Sequence, residues 1–450
     1  MLNIVIIGAG VLGRYIATLL SKDNHNVIIV DRDKKKLEEV SWNTDVGTRL
    51  GEGSDWQLLD DLLETFPHLL LALTNDDEVN LVACSIAKQL GYPGTIARIH
   101  DNRFLNKTRL DFSHMFHVDH FIVPELLVAN EIIKSVIGRG ASAFDFFAHG
   151  AVQLCTYRMP ANWNVKQAPL KDLNLPEGVM VGLIYRKMEN GDKVIFPHGD
   201  DIILPGDEVT FIGETEAMEG IPLFCNTLQT EISSVVIIGG SATAIQLTRL
   251  LERRGVSVRI IEKDYERCLY LAEHVPHATI LNRDGLDVEF LREQKLSEVD
   301  LVVACTKHDE LNLMACMLAK EIHCNNVMMV LSNTSYRPIL DKLEIAHVVS
   351  PYIIATNRIL SNIFTETITS LVSFYENRAE ILEVKVSMDS RVIGIPISDL
   401  GVLLPKDFLI AMIQNRGRLM VANGNRIISP GDTVIVITSP KHMSELEDIF

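Results

Sequence analysis

The chain has 450 residues, 47% of them hydrophobic and 22% charged, which is typical of globular proteins. This length exceeds what one hydrophobic core supports, so we expect two to four domains. The formal net charge of −17 argues against an extended nucleic-acid-binding or anionic-membrane surface, because such surfaces need clustered Lys and Arg.

The seven cysteines are odd in number and contain no Cys-x-x-Cys pair. This pattern indicates buried thiols in a reducing cytosol rather than a metal cluster. The N-terminus has no basic region followed by an apolar core and a cleavage site, so we predict no signal peptide. No apolar run approaches the roughly eighteen residues of a membrane helix. We therefore expect a chain that is soluble by itself and reaches a membrane only through a partner.

The first predicted element is a strand followed by a glycine turn and a helix. The apolar run Ile4 to Ile7 leads directly into the sequence Gly-Ala-Gly-Val-Leu-Gly. In such a motif Gly8 allows the tight turn, Gly10 lets the backbone approach a pyrophosphate, and Gly13 lets the helix pack close to the sheet. The N-terminus of the helix then offers N–H groups and a positive dipole end to the phosphates.

A second apolar run, Val27 to Val30, ends at Asp31. A carboxylate at this position accepts hydrogen bonds from the ribose hydroxyls and repels a 2′-phosphate. The pattern therefore favours NAD(H) or an adenine nucleotide over NADP(H). A Rossmann-like turn that binds nothing is the alternative.

The same pattern occurs a second time. The run that ends at Gly239 repeats the opening run, 231 positions after Gly8 (239 minus 8), and the same displacement carries Asp31 onto Glu262. Further on, the stretch Thr74 to Asn80 has its counterpart in Thr306 to Asn312. Such internal similarity predicts two copies of one structural unit.

A second repeated block follows each of these copies. Pro205, Gly206 and Asp207 recur as a Pro-Gly-Asp triplet that begins at Pro430. The surrounding apolar runs are short and alternating, which predicts small β-rich modules of roughly 75 residues. The chain thus contains two copies of a unit, and each copy has a Rossmann-like module and a small β-rich module.

Two segments, Pro124 to Ile137 and Pro351 to Phe364, are predicted as amphipathic connecting helices. Their apolar residues exceed what one short helix can hide by itself, so we expect them to pack on a partner subunit or on the sister half of the chain. Burial within their own domain is the alternative.

These motifs together resemble the TrkA family of bacterial peripheral potassium-uptake proteins, which are built from two tandem RCK (regulator of potassium conductance) units. The resemblance runs from the glycine turn through the Thr-Asn-Asp-Asp-Glu-x-Asn stretch and Arg98 to the terminal Pro-Gly-Asp module. It implies an α/β protein with two Rossmann-like RCK N-terminal domains, at 1–125 and 232–350. Each is followed by a small α+β RCK C-terminal domain, at 141–225 and 368–450.

The resemblance also implies a function. It predicts a cytoplasmic, homo-oligomeric ring, expected to be a tetramer, at the cytoplasmic face of the inner membrane. The partner would be a transmembrane potassium-translocating subunit of the TrkH/TrkG type, and the ligands NAD(H) and ATP or ADP. We expect no nucleic-acid partner and no direct insertion into the membrane.

The first candidate site implied by the resemblance consists of Gly8, Ala9, Gly10, Val11, Leu12, Gly13, Asp31, Glu52, Gly53, Thr74, Asn75 and Arg98. The turn would hold the pyrophosphate, Asp31 the ribose, and Glu52 with Gly53 the adenosine side. Thr74 follows an apolar run whose C-terminal end would face the nucleotide. Arg98 would reach a phosphate as a charge-assisted donor, with an ordinary surface arginine as the alternative.

The second candidate site consists of Gly239, Gly240, Ser241, Ala242, Thr243, Glu262, Arg283 and Thr306. It departs from the motif, because Ser241 and Ala244 replace the second and third glycines. The counterpart of Arg98 is Val330, and Lys307 replaces Asn75. We therefore expect this half to bind nucleotide with a different preference, and a vestigial site is the alternative.

An NAD-dependent dehydrogenase is the strongest competing class of protein. It needs a proton donor or acceptor beside the nicotinamide and a substrate pocket. His114, His117 and His120 have a spacing that would follow one helical face, but no HExxH motif or paired carboxylate accompanies them, so we predict no metal site. The β-rich modules are short for a catalytic domain. We predict no catalytic residues and a regulatory sensor, with an interaction scaffold on vestigial nucleotide folds as a further alternative.

Overall fold

The computed structural model describes the chain except for residues 106–108, 138–140, 142, 162, 164–167, 189–190, 227–231, 325, 334–335, 337–338, 341–342, 344, 346, 364–367, 376–377, 403, 406, 416–417, 443–444 and 447–448. In the described residues, two six-stranded sheets alternate along the chain with two five-stranded sheets. The strands of each six-stranded sheet are parallel, and those of each five-stranded sheet are antiparallel.

The first parallel sheet comprises β1 (Asn3–Ile7), β2 (Asn26–Asp31), β3 (Gly47–Leu50), β4 (Leu69–Ala72), β5 (Gly94–Arg98) and β6 (His120–Ile122). Its helices are α1 (Val11–Lys22), α2 (Lys34–Asn43), α3 (Trp56–Asp61), α4 (Asp77–Leu90) and α5 (Phe112–Met115), and α6 (Pro124–Ile137) follows the last strand. The strand order is β3-β2-β1-β4-β5-β6. The order reverses between β1 and β4, which is where doubly wound sheets open a ligand crevice.

The first antiparallel sheet comprises β7 (Ala143–Phe147), β8 (Val152–Arg158), β9 (Val179–Arg186), β10 (Lys193–Ile195) and β11 (Glu208–Glu214), and the short helix α7 (Ile221–Phe224) follows it. The strand order is β10-β9-β11-β8-β7. The apolar side chains on one face of this sheet are buried beneath α7 and the loops.

The second parallel sheet comprises β12 (Ser234–Ile238), β13 (Ser257–Glu262), β14 (Thr279–Asn282), β15 (Leu301–Ala304), β16 (Val327–Val330) and β17 (His347–Val349). Its helices are α8 (Ala242–Glu252), α9 (Tyr265–His274), α10 (Val288–Glu293) and α11 (Asp309–Glu321), and α12 (Pro351–Ile363) follows the last strand. The order β14-β13-β12-β15-β16-β17 repeats that of the first sheet. The predicted α/β class with two Rossmann-like halves is confirmed.

The second antiparallel sheet comprises β18 (Ile368–Phe374), β19 (Ala379–Lys385), β20 (Phe408–Asn415), β21 (Arg418–Val421) and β22 (Thr433–Thr438). It packs face to face on the first antiparallel sheet, where Leu183 and Ile212 share one buried cluster with Ile435 and Ile437. At Gly182 a Cβ atom would lie 2.6 Å from Cδ1 of Ile437, so glycine allows this close approach. The two small modules therefore form one sandwich within the chain.

The connecting helices pack on the opposite halves of the chain. Val128 and Ile132 of α6 lie in the core of the second parallel sheet, with Leu247 of α8. Ala355 and Ile359 of α12 lie in the core of the first parallel sheet, with residues of α1. This confirms packing on the sister half, one of the two arrangements predicted from their amphipathic pattern. Phe364, the predicted end of the second segment, lies outside the described residues.

The three histidines of the 114–120 stretch do not share a helix face. Only His114 belongs to α5, a single turn capped by the side chain of Asp111. His117 has a φ of 53°, which ends the helical path, and His120 begins β6. All seven cysteines are buried free thiols. Among the described residues, no helix is both long enough and apolar enough to cross a membrane.

Candidate functional site

The predicted site residues of the first half meet at the carboxyl edge of the first parallel sheet. The glycine turn follows β1, and Asp31 ends β2. Thr74 lies two residues after β4, and Arg98 ends β5. Because these four strands are adjacent and parallel, their carboxyl ends form one crevice at the point where the strand order reverses.

The three glycines of the turn have different steric surroundings. Gly8 has a φ of +106°, a conformation that other residues rarely adopt, and its N–H donates to the Val30 carbonyl at 2.7 Å. At Gly13, a Cβ atom would lie 2.0 Å from the carbonyl oxygen of Gly8, so only glycine lets α1 begin this close to the turn. At Gly10, a Cβ atom would meet nothing within 4 Å. The open space at Gly10 is where a bound phosphate could approach.

The N-terminus of α1 has no acceptor of its own. Its N-cap residue is Gly10, and no side chain caps the helix. Val11 is exposed at the first position, whereas Leu12 is buried in the core. The N–H groups of the first turn are therefore available to an external anion, and the helix dipole favours one.

Asp31 is held by backbone N–H groups on both carboxylate oxygens. Oδ2 accepts from Ala9 in the glycine turn at 2.7 Å, and Oδ1 accepts from Asp33 at 2.8 Å. Each oxygen retains a further lone pair, which a ribose hydroxyl can use. The carboxylate is thus fixed beside the turn before a ligand arrives.

The loop after β3 lines the same side of the crevice. Gly53 is buried, and a Cβ atom there would lie 2.1 Å from Cγ2 of Ile7. Glu52 stands exposed beside it. The N–H of Gly51 donates to the Asp31 carbonyl at 3.1 Å, which ties this loop to the end of β2.

Asn80 joins the ends of β4 and β5, and the sequence analysis did not select it. Its Oδ1 accepts from the N–H and the hydroxyl of Thr74, at 3.0 and 2.7 Å. Its Nδ2 donates to the Thr74 and Arg98 carbonyls, at 3.1 and 2.8 Å. The side chain is fully buried, so it fixes the backbone of two candidate residues. The recurrence of Asn six residues after Thr in both halves is the sequence signal for this role.

Arg98 is half-buried and held by neutral partners. Its guanidinium donates to Oδ1 of Asn75 at 2.9 Å and contacts Nε2 of His100 at 2.9 Å. Its Nε is buried and has no hydrogen-bond partner among the described residues. Within the described part of the chain no carboxylate forms an ion pair with Arg98. Its charge is therefore available to an anionic ligand.

His100 is itself oriented by Asp77. Nδ1 of His100 lies 2.8 Å from Oδ1 of Asp77, and Asp77 also accepts the backbone N–H groups of His100 and Asp101, each at 3.0 Å. Burial raises the pKa of Asp77, but these hydrogen bonds outweigh it, so the pKa lies below its ordinary value. Because Arg98 donates to Nε2, this network assigns the proton of the neutral ring to Nδ1. No sequence motif pointed to His100.

The second half repeats the central geometry. Gly239 has a φ of +103°, and its N–H donates to the Ile261 carbonyl at 2.9 Å. The N–H of Gly240 donates to Oε2 of Glu262 at 2.6 Å, and Oε1 accepts from Asp264 at 2.9 Å. Glu262 is thus bound to its glycine turn in the same way as Asp31.

Thr306 repeats the position of Thr74. Its N–H and hydroxyl both donate to Oδ1 of Asn312, each at 2.7 Å. Nδ2 of Asn312 donates to the Val330 carbonyl at 2.9 Å, which places Val330 at the position of Arg98. The described residues of the second half therefore include no counterpart of the Arg98 cation at this strand end, and Lys307, in place of Asn75, is exposed.

The helix that follows the second turn carries its own cap. Oγ of Ser241 accepts the N–H of Ala244 at 3.2 Å, so one N–H that a ligand could use is already bonded. Ala242 is exposed at the first helical position, and Thr243 is buried. The N-terminus of α8 is thus a less open anion site than that of α1.

Arg283 lies one residue away from the position that corresponds to Glu52. Its N–H donates to the Glu262 carbonyl at 3.1 Å, as Gly51 does to Asp31. Gly285 packs on Ile238, with a Cβ atom placed 2.4 Å from Cγ2, as Gly53 packs on Ile7. Asp284 is therefore the counterpart of Glu52, and it pairs with Nζ of Lys263 at 2.8 Å.

Arg267 contacts the second glycine turn, and the sequence analysis missed it. Its Nε donates to the Gly240 carbonyl at 2.5 Å. Its guanidinium carbon lies 4.6 Å from the centre of the Tyr270 ring. The equivalent residue of the first half is Lys36, which is exposed, so the repeat gave no reason to expect this contact.

Two family models match the chain, each of them twice. The TrkA-N domain matches residues 4–124 and 235–351. The TrkA-C domain matches residues 156–221 and 381–450. Together these matches cover most of the chain.

Known proteins match over nearly the full length. The Trk system potassium uptake protein TrkA homolog 1 of Methanosarcina mazei is 31% identical over 454 positions, with 99% of each chain covered. The crystal structure of the GsuK RCK domain superposes with a TM-score of 0.63 and 13% identity, covering 99% of this chain and 94% of that one. The GsuK channel bound to NAD superposes with a TM-score of 0.62 and 13% identity, covering 99% and 78%. These structures share the RCK fold.

Proposed function

The chain belongs to the TrkA family, and we propose that it is a nucleotide-sensing regulatory subunit of a membrane potassium-uptake system. The observation that carries the proposal is a carboxylate at the same position in each Rossmann half. Asp31 and Glu262 are each hydrogen-bonded to a glycine turn at the carboxyl edge of a Rossmann-like sheet. This arrangement suits the ribose of an unphosphorylated adenosine.

The proposed ligands are NAD(H) and ATP or ADP. The free N-terminus of α1 and the open space at Gly10 support a pyrophosphate in the first half. The unpaired charge of Arg98 supports a phosphate contact at the end of β5. A GsuK channel structure contains NAD, and another contains ADP, which supports the same ligand class in a related fold.

In the proposed mechanism, the phosphates draw the glycine turn, Thr74 and Arg98 together. Different nucleotides would favour different geometries of the assembly, and only such a difference in affinity can shift the equilibrium of a membrane partner. The exchange of α6 and α12 between the halves supports this step, because a movement of one Rossmann half displaces a helix in the core of the other.

The proposed partner is a transmembrane potassium-translocating subunit of the TrkH/TrkG type. The name of the Methanosarcina mazei relative and the channel context of GsuK support it. We propose a homo-oligomeric ring, a tetramer, at the cytoplasmic face of the membrane. Working domain bounds are 1–125, 141–225, 232–350 and 368–450.

Among the described residues near the first site, the pair of His100 and Asp77 is a candidate proton-transfer group for the competing dehydrogenase function. However, Nε2 of His100, the nitrogen that would exchange a proton with a substrate, already contacts the guanidinium of Arg98. A positioned guanidinium at this nitrogen suits anion binding better than general base catalysis. The proposal is therefore a sensor without catalysis.

Calorimetric titration of the full chain with NADH, NAD, ATP and ADP tests the proposal. We expect two sites per chain with unequal preferences. Potassium uptake by cells that express the chain with a TrkH/TrkG-type subunit tests the partner, and Asp31→Ala should alter its regulation by nucleotide. Absence of binding by all four ligands would favour a scaffold with vestigial folds. Hydride turnover of a small substrate at enzymatic rates would overturn the regulatory function.

A further inference from the structure

A cation lies against the glycine turn of the second Rossmann half, and the described hydrogen bonds give the first turn no such contact. Arg267, in the first turn of α9, bonds through Nε to the Gly240 carbonyl. The equivalent residue of the first half, 231 positions earlier (267 minus 231), is Lys36, which is exposed. The two halves therefore differ on the side of the crevice where β13 ends.

The guanidinium of Arg267 is held in place without being neutralised. Its guanidinium carbon lies over the Tyr270 ring, 4.6 Å from the ring centre, and Nε is bonded to a neutral carbonyl. Across the described residues, no carboxylate forms an ion pair with it, and no further hydrogen bond from its terminal nitrogens is found. The side of the guanidinium away from Tyr270 and the terminal N–H groups remain for another molecule.

The position of Arg267 identifies the part of a ligand that it would meet. The backbone of Gly240 bonds to Glu262 through its N–H and to Arg267 through its carbonyl. A carboxylate at the end of this strand is the ribose-binding group of the fold. Arg267 therefore contacts the glycine turn at the same residue as Glu262, on the side of the turn where the nucleoside would lie. A guanidinium plane stacks readily on the flat face of a base.

The opposite end of the second crevice is poorer in contacts. Val330 occupies the position of Arg98, and Ser241 already bonds one N–H of the helix N-terminus. Among the described residues, this end of the second crevice thus offers fewer free donors to a phosphate than the first crevice does.

We propose that Arg267, backed by Tyr270, stacks on the purine base of a nucleotide in the second half, and that this site holds its ligands by their adenosine part. The inference rests on the proposed nucleotide-binding function and adds a consequence to it. ADP, ATP and NADH bind the second site with similar affinities, whereas the first site, with Arg98, discriminates among them.

The test uses the full chain carrying Gly10→Val, which obstructs the first site. The backbone at Gly10 has a φ of −69°, and a Cβ atom meets nothing there, so the variant should fold. Calorimetric titrations with ADP, ATP and NADH should give affinities within about threefold of each other. Arg267→Ala should weaken all three about tenfold, or ~1.4 kcal/mol. Lys36→Ala is the matched control and should change none of them.

Arg267→Lys separates stacking from charge, because lysine keeps the charge but lacks the planar group. We expect it to lose as much affinity as Arg267→Ala. If Arg267→Lys binds the nucleotides as tightly as the Gly10→Val chain without it, the arginine contacts a phosphate, and the stacking is overturned. If Arg267→Ala stays within twofold of the affinity of the Gly10→Val chain, the role of Arg267 is overturned. Widely different affinities for the three ligands overturn the adenosine-based recognition.

The failure of the inference can be distinguished from failure of the proposed function. If the unmodified chain binds one nucleotide and the Gly10→Val chain binds none, the second site is empty. This result overturns the inference and leaves the sensor function with the first site. If the unmodified chain binds none of the three nucleotides, both are overturned.

Discussion

Replacement of Glu380 by glutamine should stabilise the protein in a pH-dependent way. Glu380 lies on β19 with 8% of its surface exposed, and its Oε2 is buried without a hydrogen-bond partner among the described residues. Burial and the nearby carboxylate of Asp23, at the end of α1, raise the pKa of Glu380 from 4.5 to about 7. Burial also raises the pKa of Asp23, and His25 partly offsets this shift.

The sign of the effect follows from the raised pKa. The folded protein holds this proton more tightly than the unfolded chain, so the stability from Glu380 is complete below pH 4.5 and is lost as the pH rises through 7. At 1.36 kcal/mol per pKa unit, ionisation of Glu380 costs the folded state about 3 kcal/mol at pH 8, and less if the site relaxes. Glutamine keeps the shape of the protonated carboxyl and does not ionise. We expect Glu380→Gln to gain about 2 to 3 kcal/mol relative to the parent between pH 5 and pH 8.

Thermal unfolding of parent and variant at pH 5 and pH 8 measures this difference. Glu383→Gln is the matched control on the same strand, because Oε2 of Glu383 accepts the Ala148 N–H at 2.9 Å. It should show no gain in stability as the pH rises. Equal melting temperatures of Glu380→Gln and the parent at pH 8, or a gain of the same size at both pH values, would refute the reasoning.

Four further substitutions test the first site. Asp31→Ala should weaken every ribonucleotide there by about 1 to 3 kcal/mol through the loss of charged hydrogen bonds, and unchanged affinity in calorimetry would contradict the ribose assignment. Gly10→Val should abolish nucleotide binding at the first site while the melting temperature stays near that of the parent. Gly13→Ala should lower the melting temperature, because its Cβ atom would meet the Gly8 carbonyl at 2.0 Å. A larger loss of melting temperature in Gly10→Val than in Gly13→Ala would contradict these steric roles. Asn80→Ala should cost about 1 to 3 kcal/mol of stability and also weaken nucleotide binding, because it frees the strand ends, whereas an effect on neither would contradict its anchoring role.

The sequence predicted the features that local patterns determine. The glycine turn required by Gly8 and Gly13, and the carboxylates at the ends of β2 and β13, depend on residue type and spacing, and the structure has them in these places. The repeat predicted the second Rossmann sheet even though Ser241 and Ala244 replace two glycines.

Features that depend on tertiary contacts were missed or misplaced. Arg283 was selected, but the displacement between the halves changes from 231 to 232 residues, and only strand pairing shows that the change lies between β13 and β14. His100 and Arg267 become site residues through contacts across the fold. The spacing of His114 to His120 suggested one helix face, but the chain leaves the helix after a single turn. Amphipathic patterns likewise showed that the connecting helices had an apolar face, without showing what would cover it.

The exchanged helix α12 has a consequence for how this chain is made. Ala355 and Ile359 complete the core of a sheet whose first strand begins at Asn3. During translation, the strands of the first sheet and most of the rest of the chain are therefore synthesised before α12, the helix that packs on α1. Until then, apolar side chains such as Ile16 and Leu20 lack part of their cover. A fragment that ends before residue 351 would leave these apolar side chains exposed, and exposed apolar surface of this kind promotes aggregation.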